Sequence, residues 1–158
     1  MCSEGLKPVA SPLLIMNFVK PNGTIPSETV PRATSTEIEW LIDRKDGAPN
    51  FELRKFKIKP HGGIPKHLHP AIEHEQYVLK GEYVVGIGEK EYHVKAGDSL
   101  FIPAGTLHWY NNTGKEDAEF LCIIPKTDQY EAIYLEESDS SVKLLQSSHS
   151  NSELKKEC

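Results

Sequence analysis

A chain of 158 residues, 38% of them hydrophobic, suits one domain with an ordinary buried core. Its formal charge of -5 comes from 18 basic and 23 acidic side chains interspersed along the sequence, which sets aside nucleic acid and anionic membrane surfaces as partners. Three cysteines, Cys2, Cys122 and Cys158, with no CxxC pair, argue against a disulfide framework, and the apolar run Leu13 to Met16 is too short for a signal-peptide core, so a cytoplasmic protein is expected.

Residues 1–35 are rich in Pro, Ser and Thr and read as an N-terminal arm, with Leu13 to Val19 a candidate edge strand. From Glu37 onward, short β-branched and aromatic runs alternate with Gly, Pro, Asn and Asp about every ten residues, the rhythm of an all-β barrel or sandwich. The predicted strands are Ile38 to Ile42, Phe51 to Lys59, Gly63 to His69, His74 to Leu79, Glu82 to Ile87, Glu91 to Val94, Ser99 to Ile102, His108 to Asn111 and Ala118 to Ile124. Turn chemistry separates them at Lys80-Gly81, Gly88-Glu89-Lys90, Ala96-Gly97-Asp98, Pro103-Ala104-Gly105 and Asn112-Thr113-Gly114. Residues 36–126 thus form the barrel. Residues 127–158 read as a flexible, largely disordered extension, serine-rich from Ser138 to Ser152, with a helical turn around Asp128 to Tyr134.

The chemistry-bearing pattern is histidine. His67 and His69 share one face of a strand, about 6.6 Å apart along the chain. The segment Pro70 to Glu73 can turn His74 onto the next strand, and His108 opens a later one. Four neutral imidazoles suit one divalent transition ion, Mn, Fe, Co, Ni, Cu or Zn, better than Ca or Mg.

The surrounding residues resemble the cupin family. Its first motif, loosely G(x)5HxH(x)3-4E(x)6G, is met by His67, His69, His74 and Gly81, and its second, G(x)5PxG(x)2H(x)3N, by Gly97, Pro103, Gly105, His108 and Asn112. The resemblance covers roughly 37–126 and implies a double-stranded β-helix, or jelly roll, with a metal in its cavity. Two positions depart from it. His61 replaces the opening glycine of the first motif and reads as an exposed loop residue, and His74 replaces the usual ligand glutamate. Glu73 and Glu75 are each out of phase with His74 on a strand, which favours a four-histidine site of His67, His69, His74 and His108.

Strand parity places Arg54 inward with Phe56 and Ile58, where a cation needs an anion: a substrate carboxylate or an ordinary salt bridge to a glutamate. Gln76 shares the parity of His74, as a ligand-facing or a rim residue, and Tyr110 shares that of His108 and walls the cavity. Trp109 packs outward; Trp40, Tyr77, Tyr83 and Phe101 read as core or interface aromatics, and Cys122 as a buried inert thiol. No catalytic side chain is assigned. The resemblance implies an oxidoreductase, dioxygenase-like and using Mn or Fe, on a small enolisable or carboxylate-bearing substrate. The alternatives are a non-redox isomerase or lyase and a non-catalytic small-molecule or metal-binding cupin. A homodimer is expected, since Leu13 to Val19 and the strand around Trp40 would otherwise leave apolar edges exposed.

Overall fold

A computed structural model describes residues 18–135. Ten strands follow in chain order: β1 Glu28–Thr29, β2 Thr34–Ile42, β3 Phe51–Leu68, β4 His74–Lys80, β5 Glu82–Ile87, β6 Lys90–Lys95, β7 Ser99–Ile102, β8 His108–Asn111, β9 Ala118–Pro125 and β10 Ile133–Tyr134. They form one curled antiparallel sheet with the path β6-β5-β8-β3-β9-β4-β7, while β2 and β10 also pair with β3, and β1 with β2. The fold is all-β, consistent with the double-stranded β-helix.

The 18-residue β3 organises this architecture by bending in its middle. Its first half pairs with β2 and β9 between Phe51 and Ile58; its second half pairs with β8 and β10 between Gly63 and Leu68. The bend needs glycine for close approach rather than for flexibility alone. A Cβ at Gly62 would lie 2.8 Å from the Thr34 carbonyl oxygen, and one at Gly63 would lie 2.4 Å from that of Tyr110. His61 stands at the bend with φ 62°, exposed as expected but inside β3 rather than in a loop. Its backbone N–H donates to the Asn112 carbonyl, and the Asn112 N–H returns to Gly62.

The two halves of the curled sheet close on a shared core. Phe56 stacks on Phe120 at 5.1 Å between ring centroids, and Phe120 meets Tyr110 and Tyr83 from the other side at 5.3 and 5.4 Å. Each such ring, fully buried, contributes about 1.5–3 kcal/mol. The second motif's asparagine is structural. Asn112, fully buried, donates from Nδ2 to the carbonyls of Ile58 and Glu116, tying the bend to the loop before β9.

Three local expectations are corrected. His69 lies just beyond β3, which ends at Leu68, and two predicted strands are one. The helical turn around Asp128 to Tyr134 is absent: the β-branched and aromatic pair Ile133 and Tyr134 adds to the β3 edge opposite Leu68 and His67. Residues 127–135 are therefore ordered on the barrel, with Tyr130 packed edge-on against Trp40 at 6.4 Å. Of the expected edge strand, Leu13 to Asn17 lies outside the described residues, and Phe18 and Val19 are exposed and not in a strand. Residues 136–158 also lie outside them.

Candidate metal centre

Pairing register brings the histidines together. His67 is opposite His108 across β3 and β8, and His74 starts β4 opposite Ile102 of β7. The turn before β8 is pinned to the first motif by the Gly105 N–H, which donates to the His69 carbonyl at 2.8 Å. The ligand atoms of His67, His69 and His108 lie within 4.8 Å of one another. The His74 ring is 5.0 Å from the rings of both His69 and His108.

The donor set fits a transition metal. Nδ1 of His67, His69 and His108 lies 2.8, 2.9 and 2.8 Å from the carbonyl oxygens of Pro65, Glu131 and Thr106. A carbonyl only accepts, so each Nδ1 carries the ring proton and each Nε2 presents a lone pair. Nε2 of His74 is buried without a hydrogen-bond partner. Burial also keeps the rings neutral: it lowers the pKa of His67 to about 4, His74 to about 2 and His108 to about 3, and lowers that of His69. Neutral imidazole is the ligating form.

The remaining predicted residues line the same cavity, of about 350 Å³. Arg54, Cys122 and Gln76 form one row across β3, β9 and β4. Arg54 is 8% exposed, and among the described residues no carboxylate comes within salt-bridge distance of it, which removes the ordinary ion pair as its explanation. Its guanidinium instead donates to Cys122 Sγ at 3.0 Å and lies over the rings of Phe56 and Trp40 at 5.2 and 5.6 Å, with Nε unpartnered. Gln76 is buried rather than at a rim; its Nε2 donates to the Tyr110 hydroxyl at 2.6 Å and its Oε1 is unpartnered. Burial raises the Tyr110 phenol well above its usual range, which leaves it a neutral hydrogen-bonding group rather than a base. Glu73 is exposed and Glu75 half-buried on the opposite face from His74, as parity requires.

Sequence reasoning missed four contributors. Cys122, buried as expected, also accepts from Arg54, and Trp40 lines the cavity. Tyr134 stacks on His67 at 5.4 Å, and the Glu131 carbonyl orients His69. The alternation Phe120, Cys122, Ile124 gives the thiol its inward direction but not its partner, and the two-residue run Ile133-Tyr134 is too short to mark β10.

A curled β-sheet carrying convergent, backbone-oriented imidazoles in a partly apolar cavity is an arrangement that could hold a metal ion. The chain belongs to the cupin family, whose cupin domain matches residues 54–124. Its sequence is similar to the wheat (Triticum aestivum) oxalate oxidase GF-2.8, 35% identical over 77 residues, covering 44% of this chain and 34% of that protein. It is also similar to the oxalate-binding protein of Thermotoga maritima, 36% identical over 70 residues, covering 44% of this chain and 58% of that one. The matches thus span about a third to three-fifths of these relatives. Among solved structures, the polyketide cyclase RemF from Streptomyces resistomycificus superposes with a TM-score of 0.66 at 31% identity, over 73% of this chain and 82% of that one. No helix among the described residues is long and apolar enough to cross a membrane.

Proposed function

We propose that this cupin is a metal-dependent oxidoreductase, dioxygenase-like, acting on a small enolisable or carboxylate-bearing substrate. His67, His69, His74 and His108 would hold one divalent transition metal, Mn or Fe by preference among Mn, Fe, Co, Ni, Cu and Zn. The observation that carries this reading is the buried Arg54 guanidinium, without a carboxylate partner among the described residues, in the same cavity as the imidazoles. Such a cation calls for an anionic ligand.

The resident metal, when bound, supplies Lewis acidity and, as Mn or Fe, a redox partner for dioxygen. The chain's own residues do the rest. Arg54 anchors a carboxylate or enolate oxygen through Nε and Nη. The Gln76 Oε1 accepts a hydrogen bond from a hydroxyl of the same ligand, while its Nε2 donates to the Tyr110 hydroxyl and fixes its position. Trp40, Phe56 and Phe120 exclude water and flank a planar ligand. A cavity of about 350 Å³ falls in the range of sites for drug-sized molecules, which favours a substrate larger than a two-carbon diacid.

Oxygen uptake during a substrate screen, dependent on added Mn or Fe and abolished by His108→Ala, is the expected result; turnover of every active substrate without oxygen consumption contradicts it. Arg54→Leu is expected to raise KM for carboxylate substrates.

A non-redox reading stands second, favoured by the 31% identity to a polyketide cyclase and by the aromatic walls. It predicts anaerobic conversion of a polycarbonyl substrate by zinc-loaded protein. We also propose a cytoplasmic homodimer. The support for pairing shifts from Trp40 itself, which is half-buried in the cavity wall, to exposed apolar residues that include Ile42 on the same strand and Tyr77, Phe101 and Ile123 on the outer sheet face.

A further inference from the structure

One of the four histidines is held unlike the others. His67, His69 and His108 each place Nδ1 against a backbone carbonyl. His74 has no carbonyl partner: its Nδ1 lies 3.3 Å from Arg54 Nη2 and 3.6 Å from Cys122 Sγ. A guanidinium has only donors, so the contact to Arg54 requires Nδ1 to accept. The single proton of the neutral ring then sits on Nε2, which is buried without a hydrogen-bond partner, in a ring 5.0 Å from those of His69 and His108. A protonated Nε2 has no lone pair for a cation. By distance alone, the ligand atoms of His67, His69 and His108 lie within 4.8 Å of one another.

The opposite tautomer has its acceptor already in place. With the proton on Nδ1, the ring can donate to the Cys122 sulfur, which a weak sulfur acceptor at 3.6 Å allows. Only the Arg54 donor stands against it. That guanidinium is held by a thiol and two aromatic faces rather than by a carboxylate, and its buried Nε is unpartnered. An anion entering the cavity would give it charge-assisted bonds stronger than the one to Nδ1.

We propose that Arg54 sets the tautomer of His74 and so the number of imidazoles open to a cation: three while it donates to Nδ1, four once a carboxylate or enolate engages it. The proton moves from Nε2 to Nδ1 of the same ring, and the net charge of the ring is unchanged. Arg54 is in this respect a positioning residue, and Cys122 is the second acceptor that completes the exchange. The inference rests on the metal reading above and deepens it by coupling anion binding to metal ligation.

Long-range ¹H–¹⁵N correlation spectra of uniformly labelled protein read the state of each ring nitrogen directly. In metal-free protein, His74 is expected to carry its proton on Nε2, whereas a proton on Nδ1 overturns the proposal whatever the metal does. With Zn²⁺ alone, three Nε2 resonances shift, and excess acetate recruits His74 as a fourth. Four shifted rings without acetate overturn the proposal, as does a third state in which acetate changes nothing. Arg54→Met should show four without acetate and bind Zn²⁺ about 10-fold more tightly; unchanged affinity and three rings in a folded variant also overturn it. Absence of any zinc-induced shift defeats the metal reading itself, and the metal-free tautomer separates that failure from this one.

Discussion

At the scale of single residues, the site works by fixing which nitrogen of each ring is free. The carbonyls of Pro65, Glu131 and Thr106 hold the Nδ1 protons of His67, His69 and His108, and burial holds the rings neutral. His67→Ala or His108→Ala should therefore cut metal affinity more than the about 10–100-fold typical of an outer-sphere loss, measured by calorimetric titration with Zn²⁺. The same neutrality has a cost in acid. The folded-state pKa of His67, about 4, lies below its ordinary 6.5, so between those values the unfolded chain binds a proton that the folded chain does not. The metal-free protein is then fully stabilised above about pH 6.5 and loses stability as pH falls toward 4, by at most about 1.4 kcal/mol per pH unit for each such histidine. Urea midpoints at pH 8, 6 and 5 should decrease in that order; a flat series contradicts the neutral-ring account.

At the scale of elements, the bend in β3 delivers the chemistry. It turns one strand into two halves, so that Arg54 faces β9 while His67 faces β8. Asn112 secures that bend, and Asn112→Ala leaves the Ile58 and Glu116 carbonyls without their donor. A loss of about 1–3 kcal/mol in denaturant unfolding is expected, with weaker metal binding as a consequence. Gly63→Ala should do at least as much, because its Cβ would meet the Tyr110 backbone. Most strands were legible in the sequence because period-two alternation and turn residues mark them; parity turned Arg54 and Tyr110 inward, where they are buried, and left Gln76 between a ligand-facing and a rim position, of which the structure shows a buried one. The C-terminal segment was not legible. Two residues, Ile133 and Tyr134, are too short a run to register as a strand, and they are ordered by the free edge of β3 rather than by their own propensity. The role of Cys122 was hidden for a related reason: parity gives a direction, but only pairing register places Arg54 and Gln76 on either side of it.

At the scale of the whole molecule, the inner face of the sheet is committed to the cavity and the outer face remains partly apolar. Tyr77, Phe101 and Ile123 are 49%, 57% and 40% exposed on neighbouring strands β4, β7 and β9. If a second copy covers them, Ile123→Glu should convert a dimer to a monomer in light scattering without disturbing the imidazole cluster on the opposite face. As proposed, the inner face holds one transition ion per chain, with His67, His69 and His108 as ligands and His74 joining them. The most direct test is metal stoichiometry by plasma mass spectrometry after loading with Mn²⁺ or Zn²⁺ and exhaustive desalting. One ion per wild-type chain and almost none in the His67→Ala, His108→Ala double variant is expected; a metal-free wild type, or equal retention by the two proteins, rules out the shared imidazole site.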